Sequence, residues 1–202
     1  MAKLYFRYGA MNSGKSTSLL QAAHNYEERE HRILLAKPGV DTKAGRQIHS
    51  RLGVVREVDY LVGADDDAYG LFQQHRSAVQ LASGRDVSCL LLDEAQFLTT
   101  QQVDDLLRIA VLDGIPVICY GIRTDFRTEA FPGSRRLLEI SHSLEELKTI
   151  CRCGRKAIFT TRRIDGRAIF DGAQVAIDGG AEVTYEAVCA ACYLAESGGR
   201  LP

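Results

Sequence analysis

Residues Gly9-Ala10-Met11-Asn12-Ser13-Gly14-Lys15-Ser16 fit the spacing G-x-x-x-x-G-K-[ST]. They stand between a β-prone segment, Leu4-Tyr5-Phe6, and a stretch of helical periodicity, and no other feature constrains the fold so tightly. A strand that ends in a glycine-rich turn and opens into a helix is the first unit of a doubly wound parallel sheet, with ligands expected at the carboxyl ends of its strands. The residue types follow from phosphate chemistry. Glycines let the backbone wrap phosphates with its N–H groups, and the helix N-terminus adds a positive dipole end. In that reading Lys15 reaches the β and γ oxygens and Ser16 ligates Mg²⁺. The alternative is a glycine-rich turn with an incidental lysine. With glycine at ~7% of residues the pattern arises by chance in roughly one chain in a hundred of this length, and less often in this strand-to-helix context.

The rest of the first 145 residues repeats the same alternation. Leu19, Leu20, Ala22, Ala23 and Tyr26 recur near a 3.6-residue period between Gly14 and Arg29, which predicts a helix. Ile33-Leu34-Leu35-Ala36, Cys89-Leu90-Leu91-Leu92 and Val117-Ile118-Cys119-Tyr120 are unbroken apolar runs, as expected of parallel strands buried on both faces. Between the last two, Thr99 or Thr100 caps a helix carrying Val103, Leu106, Leu107, Ala110 and Val111; Gly114 ends it and Pro116 follows. From Thr149 the texture changes to short β-prone pieces, Ala157 to Thr161 and Arg167 to Phe170, with Asp165-Gly166 and Asp171-Gly172 reading as hairpin turns. The expected division is an α/β nucleotide-binding core over residues 1–148 and a β-rich annex over residues 149–202. A chain of 202 residues with 46% hydrophobic and 25% charged composition suits that plan without covalent staples.

Two further clusters carry chemistry. The run ending Leu92-Asp93-Glu94 has the form of a strand whose terminal Asp93 helps hold Mg²⁺, with Glu94 projecting toward the attacking oxygen. Such a glutamate takes a proton from water in an ATPase or from a substrate hydroxyl in a kinase. Cys151-Arg152-Cys153 and Cys189-Ala190-Ala191-Cys192 bracket the hairpins as two close pairs, the pattern of a closed structural Zn²⁺ site; unligated thiols are the alternative. Cys89 and Cys119 lie inside apolar strands and read as core residues. His24, His31, His49, His75 and His142 share no ligand spacing and receive no role. Arg123 and Arg127 follow a core strand at its ligand end and are candidates for phosphate, whereas Asp65-Asp66-Asp67 reads as a solvated turn. The formal charge of −1 gives no general attraction to polyanions, so no nucleic-acid partner is expected. No apolar stretch is long enough to span a bilayer, no membrane association is expected, and a cytoplasmic location is.

Taken with their neighbours, these residues resemble those of the type II thymidine kinases, almost end to end. Gly9 to Ser16, with Met11 inside, resembles that family's phosphate loop; Asp93-Glu94-Ala95-Gln96-Phe97 resembles its D-E-[AG]-Q-F signature. Tyr120 to Phe126, followed by Phe131, resembles the segment lining its thymine pocket, and residues 180 to 185, ending in Tyr185, resemble the loop that closes over the base. The resemblance implies a RecA-like P-loop α/β domain, a parallel sheet with helices on both faces, plus a small β-rich zinc-binding lasso domain. It implies ATP and thymidine as substrates, Mg²⁺ and structural Zn²⁺ as cofactors, a homotetramer, and feedback inhibition by thymidine triphosphate. Glu94 would deprotonate the 5′-hydroxyl; residues 9–16 with Asp93 and Gln96 would bind ATP. Met11, Phe97, Ile122, Phe126, Phe131 and Tyr185 would wall the nucleoside pocket. Backbone groups of Val175, Ala176, Ile177, Asp178 and Gly179 would hold the pyrimidine edge, and Cys151, Cys153, Cys189 and Cys192 would bind Zn²⁺.

Three departures from the family pattern stand out. The first cysteine pair is C-x-C rather than C-x-x-C, Lys43 stands where the family has arginine, and the loop near Asp178-Gly179-Gly180 aligns with a one-residue adjustment. Two rival functions remain compatible with the motifs: a zinc-containing P-loop ATPase acting on nucleic acid, and a nucleotide-binding regulatory module without chemistry.

Overall fold

The computed structural model describes residues 1–39, 45–172, 174 and 183–201. Lys43 and Val175 to Gly179, named above, lie outside the described residues. The first strand, β1 (Leu4–Tyr8), runs through the glycine-rich turn into α1 (Lys15–Glu27). Gly14 stands at the helix entrance with φ 78°, a left-handed conformation that glycine adopts without steric cost. There follow β2 (Arg32–Pro38), a hairpin of β3 (Gln47–His49) and β4 (Val55–Glu57), β5 (Tyr60–Val62) and α2 (Ala68–Ser83). Next come β6 (Val87–Leu92), a 3-10 turn (Ala95–Phe97), α3 (Thr100–Leu112), β7 (Val117–Gly121), α4 (Pro132–Ile140) and β8 (Ser143–Glu146).

Six of these strands form one parallel sheet in the order β5-β2-β6-β7-β1-β8. Strand alternation divides the apolar runs between two layers. Leu34, Leu90, Leu92, Val117 and Cys119 face one core with Phe72, Val103, Leu106 and Leu137 from α2, α3 and α4. Ile33, Leu35, Cys89, Leu91, Ile118 and Tyr120 face the other with Leu19, Leu20 and Ala23 of α1 and Ile48 of the hairpin. This explains the lack of polar alternation in the strands: both faces are covered. Thr99 is the cap of α3, accepting from the Gln102 N–H at 3.2 Å while the Gln102 side chain accepts from the Thr99 N–H at 3.0 Å. In the acidic turn, Asp66 accepts from the Gly63 N–H and Asp67 caps α2, so two of its three carboxylates organise backbone.

Beyond residue 148 the chain leaves the main sheet. A two-stranded pair, β9 (Thr149–Ile150) with β10 (Lys156–Ala157), precedes a sheet of β11 (Phe159–Ile164), β12 (Arg167–Ile169) and β13 (Val183–Val188), in the order β12-β11-β13; α5 (Ala190–Glu196) follows. The expected single strand over Ala157 to Thr161 is divided at Ile158 between two different sheets. Asp165 and Gly166, both at positive φ, form the tight turn between β11 and β12. Asp171-Gly172 follows β12, and most of the chain between it and β13 lies outside the described residues, so the hairpin expected there falls outside them as well. The annex has its own core of Ala157, Ala187, Val188 and Tyr193, against which Ala10 of the phosphate loop packs.

At the start of α4, Gly133 lies directly against the turn that follows Glu94. A Cβ there would stand 2.5 Å from the Ala95 carbonyl oxygen and 2.7 Å from that of Leu98, both backbone atoms that cannot swing aside. Gly133→Ala is expected to destabilise the protein by roughly 1–3 kcal/mol and to lower turnover as well, because the displaced turn adjoins Glu94, the expected proton acceptor. Urea unfolding and steady-state rates check both effects.

Candidate active site

The carboxyl ends of β1, β6 and β7 meet at one edge of the sheet. Gly9 leaves β1 with its N–H donating to the Gly121 carbonyl at the end of β7, 3.2 Å away. Lys15 is almost fully buried, and its Nζ donates to the carbonyls of Ala10 at 2.9 Å and Gly9 at 3.3 Å, bracing the loop from inside. Burial lowers the lysine's pKa, while the charges of Glu94 and Asp93 oppose that shift. Ser16 Oγ donates to Asp93 Oδ2 at 3.3 Å. Asp93, 5% exposed at the end of β6, has its carboxyl pushed up to about 7, first by burial and then by the neighbouring Glu94 charge.

Glu94 occupies the left-handed region at φ 50°, an uncommon place for a side chain of its size and the kind of local strain that collects at functional sites. Its N–H donates to Asp93 Oδ1 at 3.0 Å, and its Oε2 accepts from the Gln96 side-chain amide. Gln96 is itself buried, and its Oε1 accepts the Ile122 N–H at 3.2 Å. The carboxylate of Glu94 is therefore oriented by a link that runs from β6 to the end of β7. Gln96, expected at phosphate, has its side chain committed to Glu94 and Ile122.

Of the residues expected at the nucleoside, Phe97, Phe131 and Ile122 lie beside this link. Phe97 and Phe131 form an edge-to-face pair with ring centroids 5.6 Å apart, and with Leu98, Pro132 and Gln174 they line a pocket of about 480 Å³. Ile122 and Phe126 are buried, and the Ile122 carbonyl accepts from Ser134 Oγ at 2.6 Å. The guanidinium of Arg162 lies 5.3 Å from the Phe126 ring centre. Tyr185 on β13 stands opposite Arg162 in the β11–β13 ladder, and the Met11 N–H donates to Thr160 Oγ1 at 3.4 Å. Arg123 borders a narrow cleft with Gly9 and Ala10, whereas Arg127 is paired with Asp125 and Glu129. Thr160, Asp125 and Tyr193 were not singled out from sequence. The glutamine two places after Glu94 was the available signal for the orienting link, but a spacing does not show where an amide points.

In the annex the Sγ atoms of Cys151, Cys153, Cys189 and Cys192 all lie within 4.8 Å of one another. Tetrahedral Zn–S bonds of ~2.3 Å set sulfur-to-sulfur edges of about 3.8 Å, so the four thiols fit a structural zinc. The C-x-C spacing works because the chain reverses at Gly154, whose N–H donates to the Cys151 carbonyl at 2.8 Å. Cys189 caps α5, and its thiol is pulled down to about 6, chiefly by the Cys192 N–H. Cys89 and Cys119 are buried core thiols as expected. Two of the histidines have structural contacts: His142 Nδ1 accepts the Leu4 N–H, and His75 stacks on Tyr60.

The profile of a family described as thymidine kinase matches residues 2–193. Relatives named thymidine kinase include one from Idiomarina loihiensis, 49% identical over 89% of this chain and 90% of its own length. Another from Chromobacterium violaceum is 46% identical over 96% and 98%, and one from Legionella pneumophila 48% over 99% and 93%. A weaker structural overlap, with the replication initiator DnaA bound to AMPPCP and single-stranded DNA, has a TM-score of 0.41 at 20% identity, covering 73% of this chain and 40% of the other. That overlap is too slight to bear on function. Sequence identity approaching one half, sustained across nearly the whole length of these relatives, means that the chain belongs to the thymidine kinase family.

Proposed function

We propose that this chain transfers the γ-phosphoryl group of ATP to the 5′-hydroxyl of thymidine, yielding thymidine monophosphate and ADP in nucleotide salvage. The observation that carries the reading is the Glu94–Gln96–Ile122 link, which fixes a carboxylate between the phosphate loop and the Phe97–Phe131 pocket.

The backbone of residues 9–16 takes the phosphate oxygens, and Lys15 exchanges the Gly9 and Ala10 carbonyls for the β and γ oxygens. Ser16 and Asp93, whose Oγ and Oδ2 lie 3.3 Å apart, would hold Mg²⁺. When bound, that ion supplies charge neutralisation on the transferring group. Met11, Phe97, Ile122, Phe126, Phe131 and Tyr185 wall the thymidine, and backbone groups of residues 175–179, outside the described residues, hold the base edge. Glu94 accepts the proton as the 5′ oxygen bonds to Pγ, and the bond from Pγ to the β-phosphate oxygen breaks to release ADP. Residues 1–148 supply the ATP site and residues 149–202 the zinc-bearing cover. We further propose a cytoplasmic homotetramer inhibited by thymidine triphosphate, on family resemblance.

With labelled ATP and Mg²⁺, thymidine is expected to be phosphorylated selectively over deoxycytidine and water; phosphate release alone would sink the kinase reading. Glu94→Gln is expected to keep ATP affinity, measured by calorimetry, and to lower kcat at least 100-fold. Turnover within fivefold of wild type would remove Glu94 as the base.

The raised pKa of Asp93 has a stability consequence. Between the unfolded value near 3.8 and about 7 the folded protein holds a proton that the unfolded chain has lost, so this group makes stability fall as pH rises through that window. Asp93→Asn, without ligands, is expected to melt several degrees above wild type at pH 8 and close to it at pH 4.5, while losing Mg²⁺-dependent turnover. Equal melting differences at both pH values would contradict this. For the annex, elemental analysis is expected to find one zinc per chain, and Cys192→Ser to lose it.

A further inference from the structure

We propose that Tyr193 is a positioning residue for the nucleoside pocket, through which the four-cysteine cluster sets thymidine affinity. The inference rests on the reading above that Phe126 walls that pocket.

Helix α5 has seven residues, too few to hold its shape or place unaided. Its first turn is fixed by the cysteines: Cys189 caps it, Cys192 lies within it, and the Tyr193 N–H donates to the Cys189 carbonyl at 3.0 Å. Its end is fixed by Glu196, whose carboxylate accepts from Arg163 Nη2 at 2.8 and 2.9 Å and pairs with Arg152. Between these anchors stands Tyr193, with no exposed surface. Its ring packs on Phe159 and Phe170 with centroids 5.1 and 5.3 Å away. Its hydroxyl crosses from the annex to donate to the Phe126 carbonyl at 2.8 Å.

Phe126 is thus held from outside its own loop at two points, the backbone by Tyr193 and the ring by the Arg162 guanidinium on β11. Both holds come from the annex. Lys15 and Ser16, by contrast, take their positions from α1 and the main sheet, with Lys15 bonded to Gly9 and Ala10 and Ser16 to Asp93. Loss of the Tyr193 hydroxyl bond should therefore be felt by the nucleoside and far less by the nucleotide. A buried hydroxyl that merely satisfies a carbonyl would give no such split.

The test compares Tyr193→Phe with wild type, both zinc-loaded as verified by elemental analysis. The variant is expected to raise KM for thymidine about 5- to 10-fold, the effect of one lost buried hydrogen bond, with KM for ATP within twofold. Calorimetric thymidine affinity should fall by the same factor. Zinc-stripped wild type should lose thymidine affinity, and in Tyr193→Phe zinc removal should cost less thymidine affinity than in wild type. Unchanged thymidine affinity in Tyr193→Phe, or equal losses for thymidine and ATP, overturns the proposal. Phe126→Ala separates the two levels: if it leaves KM for thymidine unchanged, the pocket assignment itself fails, whereas a large rise there beside a silent Tyr193→Phe rejects only the coupling.

Discussion

The hydrogen bond from the Gly9 N–H to the Gly121 carbonyl closes the edge of the sheet where β1 and β7 end. On one side of it the chain turns into the phosphate loop, and on the other it enters the segment from Ile122 to Phe131. Because β6 pairs with β7 in parallel register, Asp93 and Glu94 emerge at the same edge. Strand adjacency thus brings together groups more than eighty residues apart in sequence. Each strand is buried on both faces, so its register is fixed by packing as well as by the ladder.

Packing of that kind lets the site hold groups that oppose stability. A buried lysine, a buried aspartic acid and a half-buried glutamate lie together, and the shifts of Lys15 and Asp93 both favour their neutral forms. The left-handed backbone at Glu94 adds strain. Such an arrangement makes sense where an anion and a cation arrive together, since charge brought by a ligand relieves what burial imposes. The site is preorganised at a cost that the two cores carry.

The β1–loop–α1 unit, the ends of β2, β6 and β7, and the capped α3 were legible because each has a local cause: a glycine spacing, an unbroken apolar run, a capping box. The short strands β5 and β8 were not. β8, Ser143-Leu144-Glu145-Glu146, is a polar edge strand whose order comes from pairing with β1, a partner 138 residues away. The cysteines were legible as two pairs, but their convergence depends on the turn at Gly154 and the placement of α5. Asp165-Gly166 was legible as a turn, but not the strand order β12-β11-β13 it belongs to. A turn-forming pair reports that the chain can bend, and only the strand order reports what it joins.

The phosphate loop also has a back surface. Ala10 packs into the annex core and the Met11 N–H reaches Thr160, so the loop that would wrap one substrate is the partition against which the other compartment is built. A side chain larger than alanine at position 10 would press on both rooms through a single wall, and drift at this position is constrained from two directions at once.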